Sequence, residues 1–252
     1  SAFEADNHRH THEEAEGLGE VSVLPVDEDS VANTVMSYEE STVENFKFEF
    51  GHLDIAALHY IYGPNPNARA SDDIYEISST QTNFIWDGAG IDTIDASKLE
   101  AGVTLHLDPG YHDFVGESAA SIVTAPGQIT VNFGTTIENV IGSAFDDALF
   151  GNAQANAITG NGGSDTIDGG DGTDIAIYSE SLSAITLSSS KEDDSVTWEI
   201  TLANGDKDTL VNVERLSFND TRVALDLDGH AGSTAKLLGA FLGSAGVSNK
   251  SF

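Results

Sequence analysis

The chain has no cysteine, so disulfides contribute nothing to its stability. Secreted proteins often use disulfides, and one without them can be held by bound cations instead. Basic residues are scarce: 10 lysines and arginines stand against 42 acidic residues, a net charge of -32. With no basic patch to neutralise phosphate, nucleic acid is excluded as a partner and anionic membrane surfaces are disfavoured. No signal-peptide pattern is present, and no apolar run approaches the ~18 residues that a membrane span needs, so membrane insertion is not expected. The chain is therefore read as either intracellular or exported by a route that reads its other end. Charge of this size can mean disorder, but 39% hydrophobic residues and clear strand patterns argue against it. Carboxylates that need cations explain the composition better.

What is present is a repeat. Gly142 to Ile177 divides into four nine-residue blocks, GSAFDDALF, GNAQANAIT, GNGGSDTID and GGDGTDIAI. They open on Gly142, Gly151, Gly160 and Gly169, carry Asp147, Asn156, Asp165 and Asp174 at the sixth position, and place Leu149, Ile158, Ile167 and Ala176 at the eighth. Six Gly- and Asp-rich residues make a turn, and the next three make a short strand with one inward side chain. Successive blocks fall on opposite sides, so turns stack every eighteen residues, pairing Asp147 with Asp165 and Asn156 with Asp174. Carboxylates and turn carbonyls together can offer the six to eight oxygens that a hard cation such as calcium takes. The blocks resemble the G-G-x-G-x-D-x-U-x repeat of RTX proteins, which implies a parallel β-roll wound around several calcium ions. The candidate ligands in this stretch are Ser143, Phe145, Asp147, Asn156, Gly160, Gly162, Asp165, Gly169, Asp171 and Asp174. Phe145 and Gln154 stand where glycine is usual and Asn156 removes a charge, so the last two turns, with Gly163 and Gly172, are expected to be the best formed.

Upstream, residues 1–35 are acidic and poorly periodic, with alternating His8, His10 and His12. The segment HEEAE has Glu16 where the zinc motif H-E-x-x-H needs its second histidine, so it reads as a solvated acidic loop. TVMSYEES (Thr34 to Ser41) is followed by FGHLDIAALHYIYG (Phe50 to Gly63). There Leu53, Ala56, Ala57, Tyr60 and Ile61 recur at helical spacing, and Gly63 and Pro64 end the helix. VMSY resembles the Met-turn of serralysin-type (metzincin) metalloproteases, and DIAALHYIYGPN resembles the helix and exit that come after that turn in the family. There the turn underlies a zinc held by H-E-x-x-H-x-x-G-x-x-H, and the resemblance makes Tyr38 a zinc ligand only if that missing helix is supplied. The zinc helix is absent from this chain, so no catalytic role is expected of it alone.

The resemblance continues through NARASDDIYEIS and FIWDGAGIDTID. It implies one calcium ion held by Arg69, Ser71, Asp73, Asp87, Ala89, Gly90 and Asp92. A second is implied at Asp95, Thr136 and Glu138. Strands are expected at VTLHL and QITVNF, forming a β-sandwich flank in which His106 and His112 are surface or edge residues. They are also expected at AITLSSS, SVTWEITLANGDKDTLVNV and RLSFND, with a hairpin at Asn204–Gly205. GSTAKLLGAFLGSAGV reads as a C-terminal helix and a possible secretion signal.

The fold class is thus mainly β: a parallel β-roll flanked by β-sandwich strands, with a short N-terminal helical remnant. The divisions are 1–66 for the protease remnant, 67–178 for the calcium domain, 179–228 for a strand-rich tail and 229–252 for the terminal helix. The resemblance implies the calcium-binding module of a secreted, extracellular zinc metallopeptidase that leaves by type I secretion machinery and folds on meeting calcium. Zinc would belong only to a complete protease. Two other readings stay open: an active zinc endopeptidase whose catalytic half is another polypeptide, and a calcium-stiffened adhesion or spacer module.

Overall fold

A computed structural model describes residues 33–35, 50–192 and 195–226. Met36, Tyr38, His8, His10, His12, the HEEAE segment and the C-terminal helix lie outside the described residues. The chain divides into two compact units, Ser1–Tyr62 and Gly63–Phe252. In the first, α1 runs His52–Tyr62. Its start is fixed by Asp54, whose Oδ2 accepts the N–H groups of Gly51 (2.8 Å) and Val35 (2.9 Å), and whose Oδ1 accepts the Thr34 hydroxyl. A carboxylate in the first turn is where exposed amides and the helix dipole favour one. The helix forms where periodicity places it, but its apolar stripe is not a buried face: Tyr60 is 70% and Ile61 65% exposed, and Asp54 is the buried residue of the helix.

The second unit is β-rich. Its strands are β1 Ile74–Glu76, β2 Asn83–Ile85, β3 Thr93–Asp95, β4 Val103–His106, β5 Asp113–Val115, β6 Gln128–Val131, β7 Asn139–Ile141 and β8 Ala148–Phe150. They continue as β9 Ala157–Thr159, β10 Thr166–Asp168, β11 Ile175–Ile177, β12 Thr186–Glu192, β13 Ser195–Thr201, β14 Lys207–Val211, β15 Arg215–Ser217 and β16 Arg222–Ala224. One sheet has the order β1-β3-β7-β9-β11-β15-β16, the other β12-β13-β14-β10-β8-β4-β5-β6-β2. Through the repeat, odd strands go to the first sheet and even strands to the second. Parallel pairing sets Leu149 beside Ile167 and Ile158 beside Ala176, a register of eighteen residues.

Each strand of the repeat, β8 to β11, buries only its middle side chain, because alternate side chains point to opposite faces. Leu149, Ile158, Ile167 and Ala176 are at most 1% exposed and join Ile94, Leu105, Val140, Leu210 and Leu216 in one core. One apolar side chain per nine residues offsets only part of the backbone entropy lost on ordering. The turns must contribute the rest.

The strands at 103–106 and 128–131 are present, but not as a separate sandwich. β4 lies parallel to β8 with Leu105 beside Leu149, so β4, β5, β6 and β2 widen the second sheet. The tail likewise continues both sheets: β14 pairs with β10 and β15 with β11. The Asn204–Gly205 hairpin joins β13 to β14 in antiparallel register.

Candidate metal centre

The turns of the β-rich unit are laced by one recurring contact. The acidic residue that opens a strand accepts, on its carboxylate, the backbone N–H of the residue opening the neighbouring strand. On the second sheet, Asp147 Oδ1 accepts from Val103 (2.8 Å), Asp165 Oδ1 from Asp147 (3.0 Å) and Asp208 Oδ1 from Asp165 (3.0 Å). On the first sheet, Asp92 Oδ1 accepts from Asp73 (2.8 Å), Glu138 Oε2 from Asp92 (2.8 Å), Asp174 Oδ1 from Asn156 (2.7 Å) and Glu214 Oε2 from Asp174 (2.8 Å). The result is two ladders of acids, each rung one strand apart. The expected pairs Asp147–Asp165 and Asn156–Asp174 are both rungs.

The rungs differ in what satisfies them. Asp147 is internally matched: Oδ1 also accepts the Ser143 hydroxyl (2.9 Å), and Oδ2 accepts the Ser143 amide (2.6 Å). Asn156 is matched as well, its oxygen taking the Asn152 amide (2.8 Å) and its Nδ2 donating to the Glu138 carbonyl (3.1 Å). By contrast Asp92, Asp165 and Asp174 are 0%, 1% and 0% exposed, yet the Oδ2 of each has no hydrogen-bond partner among the described residues. A buried unpaired carboxylate oxygen is costly. Burial, together with neighbouring carboxylates, pushes these acids up from 3.8 to about 6 for Asp92, about 7 for Asp174 and about 8 for Asp165, against the opposing amide bonds. Burial raises Asp147 and Asp208 too.

The turn glycines leave room for those oxygens. A side chain at Gly160 would place its Cβ 2.1 Å from Asp165 Oδ2, and one at Gly169 2.7 Å from Asp174 Oδ2. Of the other repeat candidates, Ser143 is buried, Gly162 half-buried, and Phe145 and Asp171 exposed. The charge of Asp171 adds to the upward push on Asp174.

A third concentration of acid lies at the first turns. Carboxylate oxygens of Asp73, Asp87 and Asp92 all fall within 4.8 Å of one another. Asp87 Oδ2 accepts the Tyr75 hydroxyl, and its Oδ1 accepts the Ala89 amide (2.8 Å). Ser71 donates to Asp73 (3.0 Å), and Arg69 donates to the Trp86 carbonyl (3.0 Å) with its guanidinium 4.0 Å over the Trp86 ring. Gly90 has φ +150°, and a Cβ there would meet the Ser71 carbonyl at 2.4 Å and Asp92 Oδ1 at 2.8 Å. An open cavity of about 290 Å³ brings Thr136 and Glu138 beside Ala89 and Gly90. Asp95 stands at the other end of β3 from Asp92, its Oδ1 accepting the Ser97 amide (2.8 Å). His106 is not the surface or edge residue expected: it ends β4, which lies between β8 and β5, and stacks between Tyr111 and Phe150 with Nδ1 2.7 Å from Asp113.

The donor set is oxygen throughout, anionic and short of positive side chains, which suits a hard cation better than zinc or another N/S-seeking metal. Comparison with known proteins decides which cation. Residues 141–176 match the RTX calcium-binding nonapeptide repeat, in four copies. That RTX segment indicates calcium as the bound ion. The chain is also similar to serralysins. It is 34% identical to a serralysin of Photorhabdus laumondii subsp. laumondii over 145 residues, 50% of this chain and 29% of that protein. It is 32% identical to metallopeptidase AprA of Pseudomonas marginalis over 149 residues (50% and 30%), and 31% identical to serralysin C of Dickeya chrysanthemi over 166 residues (57% and 33%). The chain thus spans a third or less of the length of these relatives. Among the described residues no helix is long and apolar enough to cross a membrane.

Sequence reasoning missed Asp208, Glu214 and Tyr75. Glu214 follows buried Val213 as Glu138 follows buried Ile137, and its amide returns to the Asp174 carbonyl (3.2 Å) as that of Glu138 does to Asp92 (3.3 Å). The shared apolar-Glu pair is a weak signal, hidden because the β12–β13 excursion breaks the spacing of eighteen.

Proposed function

We propose that this chain is a calcium-folded β-roll module, the C-terminal portion of a serralysin-like secreted zinc metallopeptidase, and not catalytic by itself. The observation that carries the reading is the set of three buried, unpartnered carboxylate oxygens, on Asp92, Asp165 and Asp174, two of them inside the RTX segment. The alternation of repeat strands between two sheets supports the roll winding. Similarity to serralysins over half the chain supports the parent protein.

Calcium would be held in the roll by Asp147, Asn156, Asp165 and Asp174 with carbonyls of the Ser143–Phe145, Gly160–Gly162 and Gly169–Asp171 turns. At the first turns it would be held by Asp73, Asp87 and Asp92 with backbone oxygens of Arg69, Ser71, Ala89 and Gly90, and by Thr136 and Glu138. Bound calcium supplies the positive charge that these acids lack. The residues themselves do the rest: amides orient each carboxylate, glycines keep the turn open, and one apolar side chain per block seals the core. Where free calcium is scarce, facing acids hold the chain open, a form suited to type I export. Outside the cell, millimolar calcium lies in the affinity range of extracellular modules and folds it.

Far-UV circular dichroism with and without a chelator tests this. The β signal is expected in millimolar calcium and to disappear on chelation. A β signal unchanged by the chelator contradicts the reading, and stoichiometric bound zinc would point to the protease instead.

A further inference from the structure

We propose that the second repeat block closes its seam with the Glu138 turn by two side-chain amides, those of Asn152 and Asn156, in the place of a calcium ion. The inference rests on the reading of the other repeats as calcium sites. It concerns the Glu138 side of Asn156 and leaves the side toward Asp174, with its unpartnered Oδ2, as described above.

The ladder on the first sheet is broken at one step. Glu138 Oε2 accepts the Asp92 amide (2.8 Å), Asp174 Oδ1 the Asn156 amide (2.7 Å) and Glu214 Oε2 the Asp174 amide (2.8 Å). Between Glu138 and Asn156 the pattern reverses. The Glu138 amide goes back to the Asp92 carbonyl (3.3 Å), and the side chain of Asn156 donates instead of accepting. Its Nδ2 bonds the Glu138 carbonyl (3.1 Å), and Nδ2 of Asn152 bonds the neighbouring Ile137 carbonyl (2.8 Å). Two consecutive turn carbonyls, the kind of oxygen that calcium takes, already have donors on them.

The surroundings fix which way each amide points. Asn156 Oδ1 accepts the Asn152 N–H (2.8 Å), and Asn152 Oδ1 accepts the Gln154 N–H (2.9 Å) and Asn156 Nδ2 (3.2 Å). Turned end for end, either side chain would set its NH₂ group against a backbone N–H, donor against donor. Asn152 and Asn156 are 6% and 1% exposed, and neither leaves a buried polar atom unpartnered. Their amide hydrogens carry positive partial charge into the seam, so a cation there would be repelled and would have to displace them. At Asp165 and Asp174 the opposite holds, since each keeps a buried oxygen without a donor. The ions of the first-sheet side therefore fall into two groups, one at the first turns through Glu138 and one at Asp174. Hydrogen bonds alone hold the seam between them.

Native mass spectrometry of the whole chain in calcium tests the exchange of amide for ion. Asn156→Asp turns the donor into a charged acceptor and frees the Glu138 carbonyl. The variant is expected to carry one calcium more than the wild type, and an unchanged or smaller count in the folded variant overturns the proposal. A wild type that binds no calcium overturns the reading on which it rests. Calcium anomalous scattering from wild-type crystals places the ions without need of the variant. Peaks at Asp165 or Asp174 with none between Glu138 and Asn156 support the proposal. A peak within about 2.3–2.6 Å of both the Glu138 carbonyl oxygen and Asn156 Oδ1 overturns it.

Discussion

Gly151→Ala is expected to prevent calcium-induced folding or to destabilise the folded protein by more than about 3 kcal/mol, the upper end of overpacking costs. The added Cβ would lie 2.1 Å from the Gly169 carbonyl oxygen, 2.9 Å from its carbon and 2.6 Å from Asn156 Oδ1. Two of those atoms are backbone, held by the turn stacked eighteen residues on, and Gly151 N–H already bonds the Asp168 carbonyl at 2.7 Å. Relief would require the two turns to separate, breaking that bond and the rung beside it. Gly162→Ala is the matched control. Its Cβ would find nothing nearer than 3.7 Å, and its carbonyl is retained, so the change is expected within about 0.5 kcal/mol. Thermal melts of both variants in millimolar calcium check the pair. Equal melting of Gly151→Ala and wild type would contradict the stacked-turn geometry.

Without calcium, the folded state is expected to be more stable at pH 5 than at pH 8. Asp92, Asp174 and Asp165 have folded pKa values pushed up to about 6, 7 and 8 from 3.8, chiefly by burial. Between about pH 4 and 8 the folded state therefore binds more protons than the unfolded chain, and stability falls as pH rises. Acid also reduces the net charge of -32, in the same direction. With calcium present the dependence should reverse, because ligands must be deprotonated to bind and acid competes with the ion. The β signal left in chelator, expected to be larger at pH 5 than at pH 8, and melts in calcium at the two pH values test this crossing. A calcium-free fold that gains stability from pH 5 to 8 would show that these acids are not buried unpaired.

The repeat was fully legible because each of its signals is local. Glycine opens the turn, Asp closes it, and one apolar residue at the eighth position decides which side faces in. Leu149, Ile158, Ile167 and Ala176 are buried for that reason, and the register of eighteen comes from two blocks per winding. What the sequence hid was long-range. VTLHL reads as a half-buried strand wherever it pairs, so nothing local says that β4 lies against β8 rather than in a separate sandwich. Asp208 sits in an alternating strand after an Asn-Gly turn, a hairpin by every local sign. Only docking beside β10 makes it a rung. The helix shows the opposite failure. Leu53, Ala56, Tyr60 and Ile61 have helical spacing, yet the contacts that fix α1 are made by Asp54. The distinction between matched rungs, at Asp147 and Asn156, and unmatched ones, at Asp165 and Asp174, was half visible. Asn156 announces itself in sequence, whereas the Ser143 bonds that satisfy Asp147 require the folded turn.

If ion binding and folding are one event, they must rise together as calcium is added. A calcium titration with two readouts on the same samples, β signal by circular dichroism and bound ions by native mass spectrometry, tests this most directly. Coincident, cooperative curves ending at several calcium ions per chain and no zinc are the predicted result. A full β signal before any ion is bound, or ions bound with no change in fold, would contradict the coupling.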